Sequence, residues 1–184
     1  MGKEIYISAP IDNIVVQDLK SGDKVLINGT IYAARDAAHK KMVEMLERGE
    51  ELPFDVEGQI IYYVGPCPEK PNEIIGSAGP TTSGRMDKYA PTLIKLGLKG
   101  MVGKGARDES VVDAMKKYKS IYFGAIGGLG ALISKRIVSQ EIIAFPELGA
   151  EALRKMKVKD FPAIVVIDSE GNNLYELGPN EYKK

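Results

Sequence analysis

The fold is decided by the stretch KVLINGTIYAARDAAHKKMVEMLERG, residues 24–49, where a strand pattern gives way to a helical one. Branched and aromatic residues are frequent in Lys24–Asn28 and Thr30–Ala33, and these residue types favour strands. From Asp36 to Arg48 the apolar residues recur at helical spacing, and Gly49 is a natural stop. A strand that leads into an amphipathic helix predicts a mixed α/β fold.

The same alternation of strand and helix patterns continues along the rest of the chain. Further strands are predicted at Glu4–Ser8, Gln59–Val64, Glu73–Ser77, Gly100–Gly103, Ser120–Gly124, Val138–Ala144, Ala163–Asp168 and Leu174–Leu177. Further helices are predicted after Gly84 as far as Gly97, with Pro91 marking a late start or a kink, at Asp108–Tyr118 and at Glu147–Met156. No repeat or linker divides the sequence, so we expect a single compact α/β domain over residues 1–184.

Charge and hydropathy narrow the classes of partner and location. The 25 basic residues balance the 25 acidic ones, so the sequence gives no reason to expect nucleic acid or an anionic membrane as a partner. No apolar run reaches the roughly 18–20 residues that span a bilayer. The first residues, Met1-Gly-Lys-Glu4, lack the apolar core of a signal peptide, so we expect a cytoplasmic protein.

Cys67 is the only cysteine in the sequence. A lone cysteine forms no intrachain disulfide and cannot by itself supply the several thiolates that hold an iron–sulfur cluster. We therefore expect no metal ligands from this chain, and we interpret Cys67 as a small core or loop residue.

The most informative segment is GPTTSGRMD, residues 79–87, which overlaps a stretch rich in proline and glycine, Gly65–Gly84. Long loops of this composition in compact domains are commonly functional. Glycines let the backbone approach a ligand, free N–H groups at a helix start favour anions, and Arg85 adds a planar donor fork. The segment therefore predicts a cradle for a carboxylate or phosphate. A well-capped helix with a surface arginine is the alternative.

Two further cations stand beyond predicted strands. Arg35 follows the strand Thr30–Ala33, and Lys104 follows the strand Gly100–Gly103. Ligands of α/β sheets usually bind at strand ends, so Arg35, Arg85 and Lys104 together predict a dicarboxylate pocket. Each of them taken alone is more often a solvated surface charge.

Two other features allow a functional and a structural interpretation. His39, the only histidine, lies one helical turn after Arg35, and we expect it to pack or hydrogen-bond within the fold; a proton shuttle or a partner for Asp36 is the alternative. The run GAIGGLG, residues 124–130, does not match Gly-x-Gly-x-x-Gly in register. We therefore predict tight backbone packing or a pocket wall there, and no nucleotide site.

Five runs of the sequence carry a resemblance to a known family. They are RDAAHK (35–40), YYVGP (62–66), GSAGPTTSGRMD (76–87), GKG (103–105) and DFPAIVVID (160–168). In this order they resemble the β subunit, or C-terminal domain, of class I fumarate hydratases and their tartrate dehydratase relatives. The match covers nearly the whole chain, and the GPTTSGRMD block is highly specific.

The resemblance implies a fold, a cofactor and a partner. The fold would be a swivelling β/β/α domain, related to the mobile domain of aconitase-like enzymes. In that family a [4Fe–4S] cluster is held by three cysteines of an α subunit, which agrees with the single Cys67 of this chain. The chain would then be part of a hetero-oligomer with that α subunit, and it would be inactive alone.

The resemblance also implies roles for individual residues. The substrate-binding arginines of the family would correspond to Arg35 and Arg85, its lysine to Lys104, and its active-site threonine to Thr81. The neighbours that would orient these groups are Asp36, Thr82 and Ser83. The cations would bind the two carboxylates of the substrate and spread the charge that develops during reaction, which gives Arg85 a catalytic part. Thr81 would be the candidate proton-transfer group.

The implied reaction is the reversible hydration of fumarate to (S)-malate. Tartrate dehydration is the nearest alternative, because its substrate differs by one hydroxyl group. A non-catalytic domain that binds anions for regulation is an alternative from another class, although a scaffold would not need the complete set of three cations and a threonine.

Overall fold

Strands and helices alternate over residues 4–125 and 130–177, the parts of the chain that the computed structural model describes. The strands are β1 (Ile5–Ala9), β2 (Lys24–Ala33), β3 (Ile60–Tyr62), β4 (Gly100–Gly103), β5 (Ile121–Gly124), β6 (Ile137–Ala144) and β7 (Leu153–Ile167). The α-helices are α1 (Asn13–Asp18), α2 (Asp36–Glu47), α3 (Ala90–Lys95), α4 (Glu109–Tyr118) and α5 (Gly130–Ser134). Two short 3₁₀ helices span Ser83–Met86 and Pro146–Glu151. None of the helices described here has the length and apolarity needed to cross a bilayer.

Pairing between β2 and β7 closes five strands into a ring. On one side β2 pairs in parallel with β3, and β4 and β5 continue as parallel neighbours. On its other side β2 pairs antiparallel with β7, which also pairs antiparallel with β5. The strands β1 and β6 lie outside the ring, against β2 and β7 respectively. The predicted α/β class is confirmed.

The parallel ring strands β3, β4 and β5 are buried and apolar on both faces. Ile60 and Tyr62 of β3 pack into a buried cluster that draws on all five ring strands. Ile61 and Tyr63 belong to a second cluster, which includes residues of α2, α3 and α4. Successive side chains of a strand point to opposite faces, so the first cluster fills the ring and the second joins the ring to the helices. Burial on both faces explains the unbroken apolar run of residues 60–64.

Gly29 lets β2 run as one strand where the sequence predicts two. Its φ is +95°, and the register of β2 against β7 shifts between Ile27 and Gly29. A side chain at this position would collide with the carbonyl oxygen of Ala9 on β1. Glycine accepts both the conformation and the close approach, so the strand passes through the irregularity and continues to Ala33.

Three predicted elements are wrong, and the hydrogen bonds that each segment forms explain why. Glu73–Ser77 is a loop, because Gly76 and Ser77 bond to the backbone of Cys67 instead of a strand ladder. The helix predicted at Glu147–Met156 ends as a 3₁₀ helix at Glu151, and the chain then enters β7, where pairing with β2 and β6 outweighs helix propensity. Leu174–Leu177 is a helical turn, because Asn173 accepts backbone hydrogen bonds from the residues that follow it.

The helix predicted after Gly84 is divided into two parts. The 3₁₀ helix Ser83–Met86 comes first, and α3 begins only at Ala90, with Pro91 in its first turn. Proline is tolerated in the first helical turn, because the N–H groups there have no partner within the helix. Of the two alternatives for Pro91, the late helix start is confirmed.

Candidate active site

The ends of β2 and β4 bring two of the predicted cations to one edge of the ring. Arg35 follows β2 by two residues, and Lys104 follows β4 directly. The backbone N–H of Ala34 donates to the carbonyl of Tyr62 at 3.1 Å, which extends the contact between β2 and β3 up to the residue before Arg35. Because β2, β3 and β4 are parallel neighbours, these ends share one edge.

The backbone of three consecutive residues, Thr81, Thr82 and Ser83, is hydrogen-bonded along that edge. The N–H of Thr81 donates to the carbonyl of Tyr63 at 2.7 Å, and the N–H of Ser83 donates to the carbonyl of Lys104 at 2.9 Å. Thr82 and Lys104 form an isolated parallel bridge. Backbone hydrogen bonds therefore hold the threonines beside Lys104.

The two arginines lie on either side of Asp36. The Nε of Arg35 is 4.0 Å from Oδ1 of Asp36, and an Nη of Arg85 is 3.8 Å from its Oδ2. Both separations are longer than a hydrogen bond. Nε of Arg35 and Oδ1 of Asp36 are buried and have no hydrogen-bond partner within the part of the chain that the structure describes. The guanidinium groups thus lie near the same carboxylate, and Asp36 neutralises them only loosely.

Arg35 is held in place from two further directions. A Cβ atom on Gly65 would lie 2.8 Å from Cδ of Arg35, so a side chain at position 65 would displace the arginine. On the other side, Nη2 of Arg35 lies 3.6 Å from Glu151, whose other carboxylate oxygen accepts from the N–H of Ala37 at 3.2 Å. Gly65 and Glu151 were not recognised in the sequence, because neither is near Arg35 along the chain.

The predicted residues differ in how far they reach solvent. Arg85, Thr82 and Lys104 are exposed and Thr81 is half-buried, whereas Ser83 is fully buried. Lys104 forms no ion pair with another residue of the described ranges. The structure therefore brings Arg35, Thr81, Arg85 and Lys104 to one edge and turns the Ser83 side chain inward.

A buried ion pair, missed in the sequence, lies beneath this edge. The Nε of Arg107 donates to Oδ1 of Asp87 at 2.7 Å, and Oδ2 of Asp87 accepts the N–H of Asp108 at 2.7 Å. The guanidinium carbon of Arg107 lies 5.3 Å from the ring centre of Tyr63 and 4.9 Å from that of Tyr122. The only feature of the sequence that could have indicated this ion pair was the position of Asp87 within the GPTTSGRMD block.

His39 is a packing residue, as the sequence analysis expected. It is fully buried between Tyr63 and Tyr89, and its Nδ1 lies 2.8 Å from the carbonyl oxygen of Arg35. Burial is the largest influence and lowers the pKa of His39 to about 4; the bond to the Arg35 carbonyl opposes this shift, and the charge of Arg107 adds to it. The imidazole is therefore neutral at pH 7 and far from the range of a proton shuttle.

We expect this burial to make the protein sensitive to mild acid. The folded-state pKa lies below the unfolded value, so protons favour the unfolded chain, and stability falls as the pH drops from about 6.5 towards 4. The His39 contribution corresponds to roughly 3 kcal/mol. Urea unfolding of the wild type and His39→Phe at pH 7 and pH 4.5 measures it. A variant that loses as much stability as the wild type over this interval would contradict the assignment.

Cys67 lies apart from the candidate site. Cys67 is an exposed loop residue, and it lines a groove with residues of the Lys70–Ser77 loop and of α5 that includes none of the predicted site residues. No cluster of three or more histidine, cysteine or acidic side chains suited to a metal occurs within the described ranges. The glycine run at 124–130 lies largely outside those ranges, since residues 126–129 are not described.

A family model described as "Fumarase C-terminus" matches residues 2–178. This chain belongs to the fumarase C-terminus family. The family resemblance noted in the sequence is thereby confirmed.

Relatives of the fumarase C-terminus family fall into two kinds by length. "Fumarate hydratase 2" of Leishmania major is 42% identical over 94% of this chain, and "Fumarate hydratase class I, aerobic" of Escherichia coli K12 is 39% identical over 94%. This chain spans only 31% and 32% of those proteins. A Methanocaldococcus jannaschii protein provisionally named as L(+)-tartrate dehydratase subunit beta is 42% identical over 88% of this chain, which spans 86% of it.

Proposed function

We propose that this chain is the β subunit of a two-subunit hydro-lyase that converts fumarate and (S)-malate reversibly. The observation that carries the proposal is the meeting of Arg35, Arg85, Lys104 and Thr81 at one edge of the ring. Membership of the fumarase C-terminus family supports it. So does the length comparison, because this chain corresponds to about a third of the fumarate hydratases and to most of a separate β subunit.

The cations of the edge suit a substrate with two carboxylates. Arg35 and Arg85 offer planar donor forks that match a carboxylate, and Lys104 offers a compact charge for the second one. Asp36 neutralises the arginines only loosely, at 3.8–4.0 Å, so a substrate carboxylate at hydrogen-bond distance would compete well for them. As the C3 proton of malate leaves, negative charge grows on the adjacent carboxylate, and the same cations stabilise it.

Thr81 is the candidate for moving that proton. Its backbone is fixed by the bond to Tyr63, and the residue is half-buried next to Thr82, which is bridged to Lys104. A threonine hydroxyl is a weak base, so it requires a relay group, which we assign to the partner subunit. Thr82, exposed, and Ser83, buried, then serve to shape the segment.

We assign the [4Fe–4S] cluster to the α subunit, because the one cysteine of this chain cannot supply three ligands. When bound, the cluster would supply a Lewis acid for the substrate hydroxyl. The reaction is a step of the tricarboxylic acid cycle, and we propose a cytoplasmic location. By the same family likeness we propose that the ring is the swivelling β/β/α domain, which closes over the α subunit.

The proposal is tested by reconstitution with a partner. The partner is a longer protein of the same organism that corresponds to the remaining part of the fumarate hydratases and has three cluster cysteines. Alone, this chain is expected to be colourless and inactive; the anaerobic complex is expected to be brown and to hydrate fumarate. A complex that binds dicarboxylates without turnover would favour the regulatory alternative and overturn the proposal.

L(+)-tartrate is the second candidate substrate. The observation in its favour is that the M. jannaschii relative, which this chain nearly spans, is provisionally named for tartrate dehydratase. The same anaerobic complex, assayed on fumarate, malate and tartrate in parallel, decides between the two by the ratio of kcat/KM values.

Replacing Thr81 by alanine tests the proton-transfer role. We expect kcat to fall by roughly 10²-fold or more with KM changed little, because proton transfer matters only in the transition state. The measurement is steady-state malate dehydration by the complex. Thr82→Ala, one residue along, is the matched control and is expected to keep most of the activity. An unchanged kcat in Thr81→Ala would remove the role.

A further inference from the structure

One buried hydroxyl group is hydrogen-bonded to both of the segments that carry the candidate site. The hydroxyl of Tyr122, on β5, lies 2.9 Å from Oγ of Ser83 and 2.9 Å from the carbonyl oxygen of Gly105. Ser83 belongs to the segment of Thr81 and Arg85, and Gly105 follows Lys104. Tyr122 and Ser83 are both fully buried.

The chemistry of the partners fixes the direction of these hydrogen bonds. A carbonyl oxygen only accepts, so the Tyr122 proton goes to Gly105, and the Ser83 hydroxyl must donate to Tyr122. Burial raises the pKa of Tyr122 and so keeps its proton in place at neutral pH. The resulting chain of hydrogen bonds runs from Ser83 through Tyr122 to Gly105 and leaves each of the three groups with a partner. This matters because an unpaired polar group lowers the stability when it is buried.

The close fit of the two segments leaves little room for another arrangement. A side chain on Gly103 would collide with the Ser83 side chain, so the segments approach as near as backbone allows. Behind the hydroxyl, the ring of Tyr122 packs against the guanidinium of Arg107. The ion-pair partner of Arg107 is Asp87, which lies two residues after Arg85. The spacing of Lys104 from Thr81 and Arg85 thus depends on the backbone bond from Ser83 to Lys104 and on the contacts that converge on Tyr122.

We propose that Tyr122 is a positioning residue, whose hydroxyl sets the distance between Lys104 and the Thr81–Arg85 segment. This distance in turn sets how far apart the two carboxylates of an accepted substrate lie. This inference rests on the proposed function. The tyrosine touches no substrate. It acts through Ser83 and Gly105, each a close neighbour of a residue proposed to bind substrate.

The kinetic test removes only the hydroxyl. Tyr122→Phe in the reconstituted complex is expected to lower kcat/KM for malate about tenfold, chiefly through KM, because a small misplacement of Lys104 weakens carboxylate binding. The matched control is Tyr62→Phe, in which another buried tyrosine on the other face of the ring loses a hydroxyl bonded to a single backbone carbonyl, that of Ala78. The control is expected to unfold at a lower temperature with KM unchanged.

Combining the substitution with a second one separates positioning from general damage. In a Lys104→Ala background, Tyr122→Phe is expected to have little further effect on KM, since there is no lysine left to position. Equal effects of Tyr122→Phe in both backgrounds would overturn the proposal, and so would an unchanged KM in the single variant.

An exchange experiment on the full chain tests the same inference without activity. The amide of Ser83, which donates to the Lys104 carbonyl, is expected to exchange its hydrogen faster in Tyr122→Phe than in wild type, whereas Tyr62→Phe leaves it unchanged. If the complex proves inactive on dicarboxylates but this amide behaves as expected, the proposed function fails and the positioning of the two segments stands. Unchanged exchange in Tyr122→Phe would refute the positioning.

Discussion

Arg85→Ala is expected to reduce kcat/KM of the reconstituted enzyme by roughly 10³-fold, with a raised KM and a lowered kcat. The reason is that the guanidinium would bind a substrate carboxylate in the ground state and stabilise the greater negative charge of the transition state. The Arg85 side chain is 57% exposed, and its ion pair with Asp36 is long, so its removal is expected to cost little stability. The measurements are steady-state malate dehydration and thermal unfolding of the same preparation.

Lys88→Ala is the matched control for this prediction. It removes one positive charge from an exposed side chain three residues away, one to which no role in the site is assigned. Its kcat and KM are expected to stay near the wild-type values. This result would show that a general change in the electrostatic field of the protein does not cause the loss of activity in Arg85→Ala. Arg85→Ala with full activity, an intact cluster and a bound partner would refute the placement of Arg85 in the active site.

Arg107→Ala is expected to lower the free energy of unfolding by about 3–5 kcal/mol. The Arg107 side chain has no solvent exposure and Asp87 has 3%, so the substitution leaves a carboxylate buried without its counter-ion. It also removes the cation that packs against the rings of Tyr63 and Tyr122. Urea unfolding at pH 7, followed by circular dichroism, measures the loss.

The control for Arg107 is an arginine with similar pairing on the surface. The Nε of Arg48 lies 2.6 Å from Glu50, close to the 2.7 Å of the buried pair. The side chains of Arg48 and Glu50, however, are both about half exposed. Arg48→Ala is therefore expected to leave the stability close to that of the wild type, because exposed ion pairs contribute little. Equal losses in the two variants would show that burial of the Asp87–Arg107 pair does not matter.

Most of the ring was predictable from sequence, because its parallel strands are short apolar runs between clear turns. The exception is β7, whose 15 residues begin within a segment rich in lysine, leucine and alanine. Those residues favour a helix in isolation, and only the partners β2 and β6 make the strand preferable. Ring closure by β7 could not be seen, since its partner β2 lies more than a hundred residues away in the sequence.

The candidate site was also predictable from the sequence only in part. Arg35, Arg85 and Lys104 were accessible because each follows a strand or lies in a glycine-rich block, where local sequence signals a loop. The residues that hold them were not accessible: Tyr122 reads as one more apolar strand residue, and Glu151 and Arg107 read as ordinary surface charges. Their roles depend on contacts across the sheet, and those contacts leave no mark on local periodicity.

Closure of the ring has a consequence for how such an enzyme could open and shut. The segments bearing Arg35, Thr81, Arg85 and Lys104 are attached to strands that all belong to one hydrogen-bonded circle. If the chain is a β subunit as proposed, a displacement relative to its partner would carry the four groups as a unit, with their mutual spacing preserved. In the proposed enzyme, the substrate-binding groups of this chain would therefore stay assembled from one turnover to the next.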